Sequence, residues 1–127
     1  MMKRFLLDTH VLIWWLQDSP RLGPRSRELI SNSQVYLSAA SIWEIAIKMR
    51  KGLLPLPETI FEVIVEEEFE KLNITHFHAE QAGKLPAYHN DPFDRMLIAQ
   101  AQAEGLIFIT ADEKIPQYGV QLLNPTT

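Results

Sequence analysis

Four acidic residues, Asp8, Glu44, Asp94 and Asp112, lie far apart in the chain, yet each stands where an apolar strand gives way to a turn or where a helix begins. In an open parallel α/β sheet such places share one edge, so carboxylates that follow different strands converge there. Carboxylate oxygens a few ångströms apart repel one another. A shared proton or a hard divalent cation relieves the repulsion, and Mg²⁺ and Mn²⁺ prefer oxygen ligands. The chemistry this set points to is metal-assisted hydrolysis of a phosphodiester, with water as the nucleophile.

Each acid has an ordinary structural role to weigh against that one. Asp8 follows Phe5, Leu6 and Leu7 and precedes THVLIWW, where an Asp also serves as a helix N-cap. Glu44 forms an S-x-x-E capping box with Ser41 and an i, i+4 ion pair with Lys48. Its neighbours Ile42, Trp43, Ile45, Ala46 and Ile47 leave this helix turn little polar surface, so a carboxylate here needs a partner. In HNDPFDRMLIAQA, Asp91 caps a helix whose first residue is Pro92, which places Asp94 at the third position, where the helix dipole already favours an acid. Arg95 beside it offers a guanidinium to contact a phosphate or orient a carboxylate. Asp112 follows LIFIT, with the Thr110 hydroxyl at the strand's end; Glu113 competes for its role, and Asp112 also reads as a turn residue.

The histidines carry less. His76 and His78 share a face only if their segment is a strand, and that spacing without a third ligand is mostly surface chemistry. His10 and His89 lie close in sequence to Asp8 and Asp94, near enough for either to face the pocket, but neither is assigned as a ligand. No Ser/His/Asp order, P-loop, GxGxxG or CxxC is present, which argues against acyl transfer, NTP hydrolysis, dinucleotide chemistry and thiol redox.

The elements that must position these residues alternate. Lys3 to Leu7 reads as a strand and Thr9 to Gln17 as a helix; after SPRLGP come a helix near Arg25 to Ser31 and a strand at Val35 to Ser38. A third helix starts near Ser41 and is stopped by Gly52. Thr59 to Leu72 reads as a helix with Glu66, Glu67 and Glu68 turned to water, Asn73 to Phe77 as a short strand, and Ala79 to Leu85 as a helix. A helix from Pro92 to about Ala103 precedes strands at Leu106 to Ile109 and Val120 to Leu123. Such alternation predicts an α/β fold, a central mostly parallel sheet with helices on both faces.

Composition bounds the rest. The chain has 127 residues, 46% hydrophobic and 22% charged, the size of one domain with a proper core. It contains no cysteine, which excludes disulfides and thiolate metal sites and allows a reducing compartment; the expected location is the cytoplasm. MMKRFLLDTHVLIWWL is interrupted by Asp8 and His10 and reads as a first strand and helix rather than a leader, and no run approaches the roughly 18 apolar residues of a membrane span. The net charge of −4 is unusual for a protein that meets a polyanion. Setting the four candidate acids aside leaves 12 acidic residues against 12 basic ones, and bound divalent ions would turn the working face positive. Arg21, Arg25 and Arg27, and Lys48, Arg50 and Lys51, form two basic clusters that read equally as solvated helix faces.

Taken together, FLLDTHVLIWW, SIWEI, NDPFDRMLIAQA and LIFITAD, in this order and at this length, closely resemble the PIN-domain family, specifically the VapC-type toxins of bacterial toxin–antitoxin pairs. The resemblance covers essentially the whole chain, residues 1–127, as a single PIN domain. It implies a compact α/β/α sandwich, an endoribonuclease dependent on Mg²⁺ or Mn²⁺, a homodimer, and inhibition by a cognate antitoxin whose C-terminal segment covers the active site. Asp8, Glu44, Asp94 and Asp112 match the family's acidic quartet and Thr110 its frequent hydroxyl before the last acid. The fourth acid varies in position within the family, which makes Asp112 the least secure transfer.

On this reading Asp8 and Asp94 are the principal metal ligands, Glu44 and Asp112 bind directly or through water, and Arg95 orients the site. Attack by water rather than by the ribose 2′-OH leaves a 5′-phosphate and a 3′-hydroxyl, so preference for RNA must come from binding. The rival readings are a DNA nuclease or phosphatase on the same scaffold, a receiver-like phosphoacceptor, and a binding module whose acids are only caps. A receiver needs a paired acid after the first strand and a Lys after the last, and FLLDTHV and QLLNPTT provide neither.

Overall fold

The computed structural model describes residues 3–127. In chain order the elements are β1 (Arg4–Leu7), α1 (Thr9–Leu16), α2 (Pro24–Asn32), β2 (Gln34–Ser38), α3 (Ala39–Arg50), α4 (Ile60–Glu66), β3 (Glu70–Leu72), α5 (His76–Lys84), α6 (Pro92–Glu104), β4 (Ile107–Ile109) and β5 (Leu122–Leu123), with a 3₁₀ turn at Ile115–Tyr118. The strands form one sheet in the order β3-β2-β1-β4-β5, and all four pairings are parallel. Parallel neighbours cannot be joined by a hairpin, so helices carry the chain from β1 to β2, from β2 to β3 and from β3 to β4. The alternating α/β architecture expected from the sequence is the one observed.

Alternation along the strands divides the core in two. Phe5 and Leu7 of β1, Val35 and Leu37 of β2 and Ile109 of β4 pack with Val11 and Leu12 of α1, Ile30 of α2, and Ile60 and Ile64 of α4. Leu6 and Phe108 face the other way, against Leu97, Ile98 and Ala101 of α6. β1 is paired on both edges and covered on both faces, which is why Phe5, Leu6 and Leu7 are all apolar and fully buried.

Three boundaries differ from the sequence reading. The helix expected over Thr59 to Leu72 ends at Glu66, because the like charges of Glu66 to Glu68 gain nothing from continuing it and Glu68 takes a left-handed φ of 58°. The third strand then falls at Glu70–Leu72 instead of Asn73 to Phe77, pairing Glu70 with Tyr36 and Leu72 with Ser38 at the sheet edge. His76 and His78 therefore lie on α5 and not on one strand face; His78 occupies its third position, its backbone N–H donating to Thr75 Oγ1 and its Nδ1 accepting from the Thr75 N–H. α3 begins at Ala39, two residues earlier than expected, with Ser38 Oγ accepting from the Ala40 N–H at 3.0 Å. Ser41 is thus inside the helix, and the capping-box explanation for Glu44 falls.

The functional consequence of this topology lies at one edge. β1, β2 and β4 point their carboxyl ends the same way, and β1 sits where successive crossovers leave in opposite directions, to β2 on one side and β4 on the other. A helix that returns between parallel strands runs against them, so the first turns of α1, α3 and α6 reach that same edge.

Candidate active site

Asp8 is the first residue beyond β1 and the N-cap of α1. One carboxylate oxygen accepts from the Thr9 N–H at 2.7 Å and the other from the Thr110 hydroxyl at 2.6 Å. Thr110 Oγ1 in turn accepts from the Asp112 N–H at 3.1 Å, so one hydroxyl ties the end of β1 to the loop after β4. His10 Nε2 accepts from the Ala111 N–H at 3.2 Å, which leaves the proton on Nδ1, 3.4 Å from Asp8 Oδ2. Asp8 is almost wholly buried, and burial raises its pKa, an effect that His10, Thr110 and Thr9 oppose and the charge of Glu44 reinforces.

Glu44 lies one and a half turns into α3, buried, with Oε2 accepting from Lys48 Nζ at 2.7 Å. Its other oxygen, Oε1, is buried without a hydrogen-bond partner. An ionised oxygen left this way is costly, and a cation in front of it removes the cost. Ser41, one turn earlier on the same helix, accepts from the Thr9 hydroxyl at 2.9 Å and fixes α3 against α1.

Asp91 caps α6, its carboxylate accepting from the Phe93 N–H at 2.8 Å and the Asp94 N–H at 3.3 Å, and so aims Asp94 from the first turn. Asp94 has its pKa pushed up to about 8, first by burial and then by the charges of Asp8, Asp91, Glu44 and Asp112. Asp112 behaves oppositely. Burial alone would raise it, but the Lys114 N–H, 2.9 Å from its carboxylate, and His89 hold it below the usual range.

Asp8, Glu44, Asp91, Asp94 and Asp112 line one cavity of about 280 Å³, with Lys48 as the cation among its walls. The structure therefore brings together all four acids singled out in the sequence. Arg95 is not among the lining residues. Its guanidinium donates to the carbonyls of Ala82, Leu85, Pro86 and His89 at 2.8–3.1 Å, so it meets neither a carboxylate nor the cavity. The expectation that it contacts a phosphate or carboxylate is replaced by a different role: five donors on a planar fork suit a loop that turns several carbonyls toward one side chain.

That loop carries His89, which the sequence reading set near the pocket without giving it a role. His89 Nε2 lies 2.7 Å from Asp112 Oδ2 and 3.0 Å from Asp94 Oδ2, while its Nδ1 accepts from the Asp91 N–H at 3.1 Å. A proton is thus on Nε2, shared between two carboxylates. Nε2 and these oxygens all lie within 4.8 Å of one another, so the His89 N–H holds the carboxylate oxygens of Asp94 and Asp112 at a spacing that suits one metal ion. The signal available in the sequence was a His five residues before the Asp at a helix start, too common to be decisive without the loop geometry.

An α/β sheet whose carboxyl edge gathers acids behind different strands defines the site, and similarity to known proteins gives the family. The family model described as PIN domain matches residues 5–121, and the chain belongs to the PIN-domain family. Ribonuclease VapC22 of Mycobacterium tuberculosis (strain ATCC 25618 / H37Rv) is 29% identical over 118 residues, spanning 90% of this chain and 91% of that protein. The fold recurs in DNA-bound VapBC from Salmonella typhimurium, with a TM-score of 0.74 and 22% identity over 97% of this chain and 98% of that one. It recurs again in VapBC-1 from nontypeable Haemophilus influenzae, with a TM-score of 0.72 and 19% identity over 98% and 99% of the two chains.

Proposed function

We propose that this protein is an endoribonuclease toxin of the VapC type, dependent on Mg²⁺ or Mn²⁺ and neutralised by a cognate antitoxin. The observation that carries the reading is the convergence of Asp8, Glu44, Asp94 and Asp112 on one cavity, with a buried carboxylate oxygen of Glu44 facing no partner. Caps alone would not leave it so. The all-oxygen donor set suits a hard divalent ion, and Asp8, Asp94 and Asp112 would hold it with Glu44 completing the set. When bound, such an ion supplies Lewis acidity toward a phosphate and eases the ionisation of water at neutral pH.

The residues of the chain do the rest. Thr9 and Thr110 fix both oxygens of Asp8, so its carboxylate is set before substrate arrives. His89 holds Asp94 and Asp112 against one imidazole N–H, and Arg95 fixes the His89 carbonyl at 3.1 Å, which orients the site at one remove. Because the nucleophile is water and not the ribose 2′-OH, the products carry a 5′-phosphate and a 3′-hydroxyl.

The antitoxin part rests on kinship with VapC22 and on structural neighbours that are VapBC complexes. A groove of about 530 Å³ beside α3, α4 and β3, lined by Ile42, Trp43, Phe61 and Val65, supplies apolar surface that a partner segment would cover. A homodimer in the cytoplasm completes the proposal. Sequencing of RNA ends after brief expression tests it: new 5′-phosphate ends at recurring positions are expected from wild type and not from Asp8→Asn. Cleavage of DNA instead of RNA would move the activity to the rival nuclease reading.

A further inference from the structure

Among the residues lining the acidic cavity, Lys48 has no part in the function just proposed. In the sequence it was legible as the i, i+4 partner of Glu44 and as one of three basic residues near the end of a helix, not as part of the site. Its side chain is 46% exposed at the rim, whereas that of Glu44, on which its Nζ sits at 2.7 Å, is 6% exposed. An i, i+4 pair of this kind on a solvated helix face contributes little. Here the acid is buried and its second oxygen is unpartnered, so the pair does not merely decorate a surface.

Two-metal nucleases place two cations about 3.5–4 Å apart, sharing carboxylates between them. Two of the cavity's acids, Asp94 and Asp112, have carboxylate oxygens within 4.8 Å of each other and of His89 Nε2, whereas Glu44, on α3, already has an ammonium bound to one oxygen. An ammonium is a compact cation with three donors, and the Glu44 contact uses one of those on Lys48.

We propose that Lys48 is the second cation of the site: its ammonium, seated on Glu44, takes the place of a second divalent ion and presents its remaining N–H donors to a phosphate of the RNA strand. The inference rests on the metal-dependent reading above. It makes the protein a one-ion enzyme, with Glu44 as a bridge between the resident ion and the built-in charge. A fixed monovalent charge also limits how far the cavity's acidity can recruit free cations, and it holds a phosphate-binding group at the mouth before metal arrives.

Calorimetric titration of metal-free protein with Mn²⁺ separates the possibilities without any reliance on turnover. Wild type is expected to bind one ion, Lys48→Arg one ion, and Lys48→Met two, because removing the ammonium frees both oxygens of Glu44. Methionine keeps the length and helix preference of lysine, so thermal melts of the variant should stay close to wild type. Two ions in wild type, or one in Lys48→Met, would overturn the role of Lys48 while leaving metal dependence intact. No ion in wild type would remove the metal reading itself, and this inference with it. In turnover, loss of one phosphate contact should flatten the dependence of log KM on log salt by about 0.7 in Lys48→Met. Equal slopes for the two proteins would contradict the phosphate contact.

Discussion

Asp94 is where the electrostatics of the site converge. Its carboxyl is raised from an ordinary 3.8 to about 8 by burial and by four neighbouring acids. Between those two values the folded metal-free protein keeps a proton that the unfolded chain has released, so this residue's contribution to stability is full below about pH 4 and is lost as pH rises through about 8. Melts in EDTA should therefore show stability falling from about pH 5 to about pH 9 by on the order of a few kcal/mol, with Asp94→Asn removing most of the fall. Asp112, held low, contributes in the opposite sense, and that part is lost only as pH drops through the acid range. Metal binding must expel the Asp94 proton, so Mn²⁺ affinity should rise with pH up to about 8 in wild type. For cleavage, Asp8→Asn and Asp94→Asn are each expected to lose more than about 100-fold while staying folded, because either change deletes ligand charge at nearly constant volume. Activity within a few-fold of wild type in either variant would remove the residue from the site. The acids were legible in the sequence because Asp8 and Asp112 follow apolar strands, Asp94 sits in the first turn of a helix and Glu44 stands among apolar residues. The Glu44–Lys48 pair and the nearness of His89 to Asp94 were legible too, but their part in the site was not, since a loop histidine and a helical lysine are ordinary until a fold places them against buried carboxylates.

At the scale of elements, the site depends on loops and caps that set where helices start. Ser38, fully buried, turns the end of β2 into α3, and Ser38→Ala should cost about 1 kcal/mol and loosen the placement of Glu44. The segment from Ala82 to His89 is held by Arg95, so Arg95→Met should lower the melting temperature and raise KM through a misplaced His89, with kcat/KM restored poorly by Lys. An unchanged melting curve would count against that clasp. Gly23 belongs to the same class of constraint. A Cβ there would collide with the backbone of Thr126 and Thr127, whose segment accepts from the Gly23 and Arg25 N–H groups, so Gly23→Ala must displace the docked tail and should destabilise measurably. Most strands and helices were readable from apolar periodicity. β3 escaped because an edge strand need not be apolar: Glu70 and Lys71 are exposed, and its pairing with β2 is visible only in three dimensions.

For the whole molecule, the proposed function asks a chain of net charge −4 to meet RNA, which requires cations at the site, and a divalent ion and Lys48 would supply them. Its toxicity is expected to depend on a partner: expression alone should arrest growth, and co-expression with the neighbouring reading frame should yield a stable complex and restore it. Harmless expression with no RNA cut in Mg²⁺ or Mn²⁺ would end the toxin reading. The central claim is that the converging carboxylates are a cation site and not a set of helix caps, and thermal melts of wild type and Asp94→Asn in EDTA and in Mn²⁺ test it directly. At about pH 8.5 under nitrogen, where Asp94 is largely ionised, its repulsion by the neighbouring acids should make the variant more stable in EDTA by about one to a few kcal/mol, and so melt higher. Saturating Mn²⁺ should then raise wild type by about 3 kcal/mol at 100-fold excess over Kd and the variant far less. Superimposed curves for the two proteins, with and without Mn²⁺, would contradict the account, because Asn caps a helix about as well as Asp.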